Sequence, residues 1–483
     1  MADARGVLLI NGVLVAMLGL AMLAPMLVDL AYGHEDYLAF LSAGAVTLFS
    51  GGAVVSATFS RGLQLTTRQA FVLTTSVWIV LPAFAALPFV LCELSLSYTD
   101  AFFEAMSGLT TTGSTVITGL DDAPPGILIW RAILQWLGGV GIIVTAIAVL
   151  PLLRVGGMQL FRMESSEQAD KALPRAAQIA AAMTVAYLIL TVACSAALWI
   201  AGMSVFDAIA HAMTTVATGG FSTSDSSVGY FDNAAAEWII ILFMVLGSLP
   251  FILYLQAARG RPLLLFRDTQ VRWFLGTVAG ATALVLSFTA IAEISEGAHE
   301  AVRLSAFNVI SVITGTGYAS HDYGGWGRAA TVLFFFFTFI GGCAGSTSCG
   351  IKIFRFRVMF ETARVQIHQL MRPNAVMVPR FNGQPIETRV IDAVMSYFFL
   401  FAMVFGTLAF LLTLTGLDMT TALSGAATAV ANVGPGLGDV IGPAGTFQPL
   451  PDPAKWLLAT GMLLGRLELF TVLVLFTARF WRG

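Results

Sequence analysis

One stretch decides how this chain folds: Tyr98-Thr-Asp-Ala-Phe-Phe-Glu-Ala-Met-Ser-Gly-Leu-Thr-Thr-Thr-Gly-Ser-Thr115. It is short and moderately apolar, and it lies between two apolar runs, residues 69–91 and 126–150, each long enough to cross a bilayer. The pattern predicts a re-entrant helix followed by an extended Thr-Thr-Thr-Gly segment. Irregular backbone at membrane depth is tolerated only inside protein or along a watery path. A ring of such carbonyls can replace the hydration shell of an ion, and one loop supplies a quarter of a ring.

Composition places the chain in a membrane. Of its 483 residues, 57% are hydrophobic and 11% are charged, against roughly 25% charged in soluble proteins. Ten spans are predicted, and after the first two they come in pairs. They cover residues 7–30, 37–59, 69–91, 126–150, 176–201, 235–257, 270–293, 329–361, 389–415 and 454–480.

The last four pairs of spans enclose four related loops. Asp100-Ala-Phe-Phe-Glu-Ala-Met-Ser107 aligns with Asp207-Ala-Ile-Ala-His-Ala-Met-Thr214, and the same offset carries Gly113 onto Gly220. A third copy ends at Gly315 and a fourth at Gly434. In each, a glycine permits close backbone approach at the narrowest point. The residues predicted to line one ring are Thr110, Thr111, Thr112, Gly113, Ala217, Thr218, Gly219, Gly220, Val312, Ile313, Thr314, Gly315, Ala431, Asn432, Val433 and Gly434.

The expected fold is therefore an all-α polytopic membrane protein, with two N-terminal helices and four helix–pore-loop–helix repeats around one central pore. Residues 1–66 would form the N-terminal pair. Residues 67–160, 161–262, 263–372 and 373–483 would form the four repeats. Most of the 25 Lys and Arg residues flank one side of the spans, which predicts cytoplasmic termini and loops that enter from outside. The outer side carries most acids, which would concentrate cations there, unless outer loops simply avoid Lys and Arg.

The second helix of the third repeat interrupts its own pattern. Its run Gly341-Gly-Cys-Ala-Gly-Ser-Thr-Ser-Cys-Gly350 has four glycines and three hydroxyl residues, which should unwind a helix in mid-membrane. Its place just below the predicted ring suits a gate, and the alternative is a packing seam of small residues. The predicted gate comprises Gly341, Gly342, Cys343, Ala344, Gly345, Ser346, Thr347, Ser348, Cys349, Gly350 and Arg466.

Arg466 lies in the middle of the last span, where an arginine costs about 2.5–3.5 kcal/mol. It is expected to bond backbone carbonyls, such as those of residues 341–350, and to act as a barrier to cations. The alternative is a structural cap on a broken helix.

These features together resemble the Trk/Ktr/HKT superfamily of potassium transporters, over essentially the whole chain. The two extra N-terminal helices and the length resemble its bacterial TrkH/TrkG branch. The resemblance implies one pore per subunit, a potassium ion bound in the filter as the permeant species, and gating by residues 341–350 with Arg466. It also implies a homodimer among lipids of the bacterial inner membrane, regulated by a cytoplasmic ring of TrkA-like nucleotide-binding subunits, with no nucleic-acid partner. Because the four filters differ in sequence, looser K⁺ over Na⁺ selection than in a tetrameric channel is expected.

Two other functions are compatible with parts of the sequence. Gly436-Leu-Gly-Asp439 matches a pattern of intramembrane aspartyl proteases, but that chemistry needs a second carboxylate at depth, and no predicted helix nearby supplies one. No other enzyme motif is found, so the chain is expected not to be an enzyme. The transport mode stays open between a channel-like pore and a Na⁺- or H⁺-coupled K⁺ symporter. No chain of buried acids for a proton relay is visible in the helices, which favours the channel.

Overall fold

A computed structural model describes residues 4–60, 65–148, 172–288, 295–374 and 377–482. The described chain is mostly helical and rich in long apolar helices, so the predicted all-α polytopic fold is confirmed. The division into repeats at the stated boundaries stays a prediction. The N-terminal pair comprises α1 (Arg5–Ala21), continued by α2 (Leu23–Tyr32), and α3 (Tyr37–Thr58). Glycines let α1 and α3 pack closely, since a methyl group on Gly51 would lie 2.5 Å from the backbone nitrogen of Ala16.

The other elements follow in chain order. The first predicted repeat holds α4 (Thr67–Ala85), α5 (Leu87–Leu91), α6 (Tyr98–Leu109) and α7 (Pro125–Ala148). The second holds α8 (Ala172–Ile200), α9 (Val205–Val216), α10 (Ala234–Gly247) and α11 (Phe251–Ala258), and α12 (Leu263–Arg267) follows. The third holds α13 (Thr269–Phe288), α14 (Ala298–Thr314), α15 (Arg328–Phe337) and α16 (Ile353–Met371). The fourth holds a hairpin, β1 (Arg380–Phe381) and β2 (Gln384–Pro385), then α17 (Thr388–Leu414), α18 (Met419–Ala431), α19 (Gly438–Ile441), α20 (Asp452–Arg466), α21 (Phe470–Leu473) and α22 (Ala478–Arg482). Short 3₁₀ turns lie at Leu120–Asp122, Ser227–Phe231, Tyr323–Trp326 and Val474–Phe476.

Seven of the ten predicted spans are single long spans within the described residues. The predicted ends at 150 and 293 lie outside those residues. The span 235–257 is instead bent by 92° between α10 and α11, and Pro250, directly before α11, removes a backbone donor there. The span 454–480 is bent by 105° after α20, where Glu468 and Leu469 both adopt positive φ. The span 329–361 is interrupted by residues 338–352, which form no helix, as its glycines predict.

Buried apolar side chains form two large clusters. One joins the N-terminal pair with the first and fourth repeats, and the other joins the second and third repeats. The four short helices α6, α9, α14 and α18, here called the loop helices, each contribute to one of them. They are thus held rigidly inside the protein, which positions the loops that follow them.

Candidate functional site

Three of the loop helices begin with the same cap. Ser97, Ser204 and Asp418 each accept a hydrogen bond from the backbone N–H three residues further on, at 3.1, 3.0 and 3.1 Å. Such caps satisfy a free donor at a helix start. They stand at the same spacing as the loops, so the sequence repeat is also a repeat of local structure. Helix α14 follows Gly297 and has no side-chain cap.

Every loop helix ends in a residue with left-handed backbone. The φ angles are 53° at Thr111, 53° at Thr218, 77° at Gly315 and 53° at Asn432. A threonine in this region is a genuine outlier, and such strain persists where the surroundings over-determine the conformation. These four residues therefore occupy equivalent positions, and the four loops can be aligned on them.

This register corrects the third predicted loop. Two residues beyond the left-handed positions lie Gly113, Gly220, Gly317 and Gly434, so the third glycine is Gly317 and not Gly315. Val312, Ile313 and Thr314 belong to α14, and Gly315 caps that helix, where its positive φ costs little.

Paired hydroxyl groups support the corrected register. The Oγ1 atoms of Thr110 and Thr112 lie 2.7 Å apart, and those of Thr314 and Thr316 lie 2.8 Å apart. Each pair flanks the left-handed residue of its loop. The other two loops place Ala217 and Gly219, and Ala431 and Val433, at these positions. The arrangement therefore alternates in polarity around the centre.

The four loops meet one another in a closed ring. A methyl group on Gly113 would overlap the carbonyl oxygen of Gly219, and one on Gly220 would overlap that of Thr316. One on Gly317 would lie 2.6 Å from the nitrogen of Gly434, and one on Gly434 would lie 3.1 Å from the oxygen of Gly113. Each loop thus touches the next, and the fourth returns to the first. We call residues 110–113, 217–220, 314–317 and 431–434 the four-loop ring; it contains every predicted ring residue except Val312 and Ile313.

One face of the ring opens into a small cavity. It measures about 70 Å³ and is lined by all four ring glycines and by chain just beyond them, including Ser114 and Phe221. We call it the vestibule. The loop helices all end at the ring, so their carbonyl ends point at it and make it favourable for cations.

Side chains of the loop helices brace the chain that leaves the ring. Glu104, His211 and Asn308 occupy equivalent positions in the first three loop helices. Glu104 accepts from the hydroxyl of Thr115 and the backbone of Val116, both at 2.9 Å. His211 Nε2 lies 3.0 Å from Ser222 Oγ, and Asn308 Nδ2 donates to Ser320 Oγ at 3.0 Å. In the fourth loop Ser424 does this work, accepting from the Leu437 backbone at 3.0 Å.

Helix α7 ties the first loop to the second. Arg131 pairs with Glu104 at 2.8 Å, with both side chains buried, and donates to the carbonyl of Ser222 at 2.7 Å. Gln135 donates to the carbonyl of Gly219 at 2.6 Å and accepts from the Phe221 backbone at 3.0 Å. These bracing residues are not among those predicted from the sequence, although Glu104 and His211 occupy the same position in the aligned repeats.

The other face of the ring is covered by residues 338–352, here called the intramembrane loop. It closes on itself, with the backbone nitrogen of Gly341 donating to the carbonyl of Ile351 at 2.9 Å. The hydroxyl of Thr347 donates to the carbonyls of Val216 and Gly247, at 3.0 and 2.9 Å. Cys349 lies 3.7 Å from the hydroxyl of Thr111 through its sulfur. All ten predicted gate residues of this loop are buried or nearly so.

Arg466, the last residue of α20, connects this loop with the first repeat. Its side chain is 3% exposed, and its guanidinium donates to the carbonyl of Thr347 at 3.4 Å and to that of Gly138 at 3.0 Å. It also contacts the sulfur of Cys349. The predicted bonding of Arg466 to carbonyls of the loop is confirmed.

A cluster of basic groups lies beside the loop. Glu468 pairs with Arg355 at 2.6 Å, and Arg355 lies over the ring of Tyr397 at 3.8 Å. Lys352 contacts the carbonyl of Ser348. Three cations, Arg355, Lys352 and Arg466, thus lie near the carboxylate of Glu468 on this face of the ring.

The proposed protease motif finds no support in this geometry. Asp439 is exposed in the four-residue helix α19. An aspartyl protease needs two carboxylates that share a site.

Known proteins are similar to this chain over nearly its whole length. The model of the TrkH family, described as "Cation transport protein", matches residues 38–482. The chain is 47% identical to the Trk system potassium uptake protein TrkI of Halomonas elongata over 99% of this chain and 96% of that one. It is 39% identical to the Trk system potassium uptake protein TrkH of Escherichia coli K12, over 99% of both. The crystal structure of the potassium transporter TrkH from Vibrio parahaemolyticus superposes with a TM-score of 0.92 at 37% identity, covering 99% of this chain and all of that one.

Proposed function

Because the chain belongs to the TrkH family of cation transport proteins, we propose that it carries potassium ions into the cell through the four-loop ring. The relatives are named for potassium uptake, which supports potassium as the cargo. In this proposal the ring is the selectivity filter, and K⁺ is the permeant ion bound there. The protein lies in a bacterial inner membrane with cytoplasmic termini and an outward-facing vestibule, an orientation supported by its distribution of Lys and Arg.

One observation carries the proposal: four loops of a single chain close into a ring of backbone. Carbonyl groups in such a ring can take the place of water around an ion. Each helix C-terminus is equivalent to roughly −0.5 charge, so the four ends together supply about two negative charges without a carboxylate. The alternation of threonine pairs with Ala217–Gly219 and Ala431–Val433 departs from four-fold symmetry. We therefore expect weaker discrimination against Na⁺ than in a ring of four identical loops.

The intramembrane loop and Arg466 are proposed as the gate. An ion that leaves the ring away from the vestibule meets this loop and then the basic cluster around Arg466. Opening must break the bonds of the Thr347 hydroxyl and those of the Arg466 guanidinium. At about 1 kcal/mol for each hydrogen bond, the closed arrangement is favoured by a few kcal/mol. A preference of this size can be reversed by a bound partner.

The partner is proposed to be cytoplasmic. The relatives are described as parts of a Trk system, which supports a membrane subunit that works with other components. We expect a homodimer surrounded by lipid, with a TrkA-like nucleotide-binding ring on the side of the spans that most Lys and Arg residues flank. The TrkA-like subunits would act on the intramembrane loop by shifting its equilibrium from the closed to the open arrangement.

Ion flux into liposomes tests the transport function and its mode. Purified protein is reconstituted, and the reversal potential is measured under separate gradients of K⁺, Na⁺ and H⁺. A reversal potential that follows K⁺ alone supports the channel-like pore. Uphill K⁺ movement driven by a Na⁺ or H⁺ gradient would replace it with the symport alternative. Absence of K⁺ flux even in the Arg466→Ala variant, in which the proposed gate is released, would contradict both.

A further inference from the structure

A groove lies between α1, α3 and α4, and no residue of the four-loop ring lines it. It measures about 850 Å³ and is lined mostly by apolar side chains, among them Val7, Val15, Val54 and Val72. Ligand sites commonly have volumes of roughly 300–1,000 Å³. The groove is therefore large enough to hold a ligand of substantial size against three membrane spans.

Arg68 is the one charged residue that lines this groove among the described residues. Arg68 lies in the first turn of α4 and lines the groove. Its side chain is exposed and has no ion pair within the described chain. Helix α22 places Phe480 and Trp481 in the wall and carries Arg479 and Arg482, both exposed. No Asp or Glu belongs to the described lining. The mouth thus suits a negatively charged group.

A buried polar group lies deeper in the wall. Asn11 is 7% exposed, and its Nδ2 donates to the carbonyl of Val7 and to Ser76 Oγ, both at 2.9 Å. Its Oδ1 has no hydrogen-bond partner within the described chain. A pure hydrocarbon would leave this acceptor unsatisfied, at a cost to binding. An acyl chain beside Asn11 therefore has to enclose a water molecule that donates to Oδ1.

We propose that this groove binds one anionic phospholipid, with an acyl chain against the valines and its phosphate at Arg68. An apolar slot between spans with a cationic mouth matches the two ends of such a lipid. A peptide in the same slot would need partners for its backbone at membrane depth, which the valine walls do not offer. The site goes beyond ion transport, and the ring plays no part in it.

Native mass spectrometry of the full chain in detergent tests the proposal. The protein is incubated with equal amounts of phosphatidylglycerol and phosphatidylcholine that have the same acyl chains. We expect one phosphatidylglycerol retained per chain in preference to phosphatidylcholine. Arg68→Gln should lower that retention about five-fold, as loss of one surface cation implies. Val72→Trp fills the slot and should remove both lipids.

Arg259→Gln is the matched control, because Arg259 is equally exposed and lines no part of the groove. It should leave lipid retention unchanged. Equal retention of the two lipids by the native chain would overturn the proposal. So would full retention by Val72→Trp, or an equal loss in Arg68→Gln and Arg259→Gln. The two arginine variants change only exposed side chains, so they decide the question even if the tryptophan variant fails to fold.

Discussion

Replacing Gly317 with alanine should remove most potassium uptake, whereas the same change at Gly315 should leave most of it. Both glycines have positive φ, 81° and 77°, so a side chain costs about 1–2 kcal/mol at either position. The surroundings differ. A methyl group on Gly317 would lie 2.6 Å from the nitrogen of Gly434, where backbone meets backbone. On Gly315 the nearest atom is the carbonyl oxygen of Asn432 at 3.4 Å, an ordinary contact.

The Gly317 variant must therefore open the ring at the junction of the third and fourth loops. We expect uptake to fall at least about tenfold, which corresponds to only 1.4 kcal/mol of lost ion stabilisation. Gly315→Asn is a stringent control, because the fourth loop already carries Asn432 at the equivalent position with φ of 53°. It should retain uptake.

The assay is rubidium or potassium uptake in cells that lack other potassium uptake systems, followed by flux in liposomes. Protein amount and melting temperature are measured for each variant, so that folding losses are separated from transport losses. The reverse ranking, with Gly315→Ala inactive and Gly317→Ala normal, would refute the register argued above.

Three further changes test the gate and the framework. Arg466→Ala should raise basal K⁺ flux in liposomes without a partner protein, because the substitution releases the intramembrane loop. Unchanged flux would show that Arg466 is structural and does not act as a gate. Arg355→Met should lower stability by about 3 kcal/mol, since it removes the buried cation that contacts the carboxylate of Glu468 at 2.6 Å. The control Arg364→Gln removes an exposed arginine that lies 3.7 Å from Glu361, a carboxylate that keeps its pair with Arg357, and should cost less than about 1 kcal/mol in the same thermal melts; equal losses would refute the distinction. Asp418→Ala should cost about 1 kcal/mol at pH 7 through loss of its helix cap, and Asp418→Asn much less. Hydrogen bonds from Thr421 hold the pKa of Asp418 below its usual value, so its contribution is present above about pH 4 and fades as pH falls further; a loss that persists unchanged at pH 3 would contradict this.

The features predictable from sequence were those with a local cause. Four glycines in residues 341–350 cannot sustain a helix, and a buried arginine must find acceptors, so both the break and the contacts of Arg466 followed from composition. The repeats were visible because the aligned copies keep Asp100 and Asp207 at the same place. Each of these inferences needed only neighbouring residues.

The errors arose where distant residues decide the conformation. The third loop has two glycines, and only the length of α14 shows that Gly315 ends the helix while Gly317 closes the ring. The bend at Glu468 carries no proline, and it is accompanied by a pair with Arg355 on another repeat. The braces likewise join separate segments, as Arg131 does with Glu104. Local patterns do not encode such contacts.

The central claim is that K⁺ binds inside the four-loop ring. Anomalous diffraction from crystals grown with Rb⁺ or Tl⁺ in place of K⁺ tests it most directly. The account predicts peaks on the ring axis, between the vestibule and the level of Thr111 and Asn432, that weaken when Na⁺ replaces the heavier ions. Ordered density for the ring with no peak inside it, and peaks elsewhere in the protein, would contradict the account.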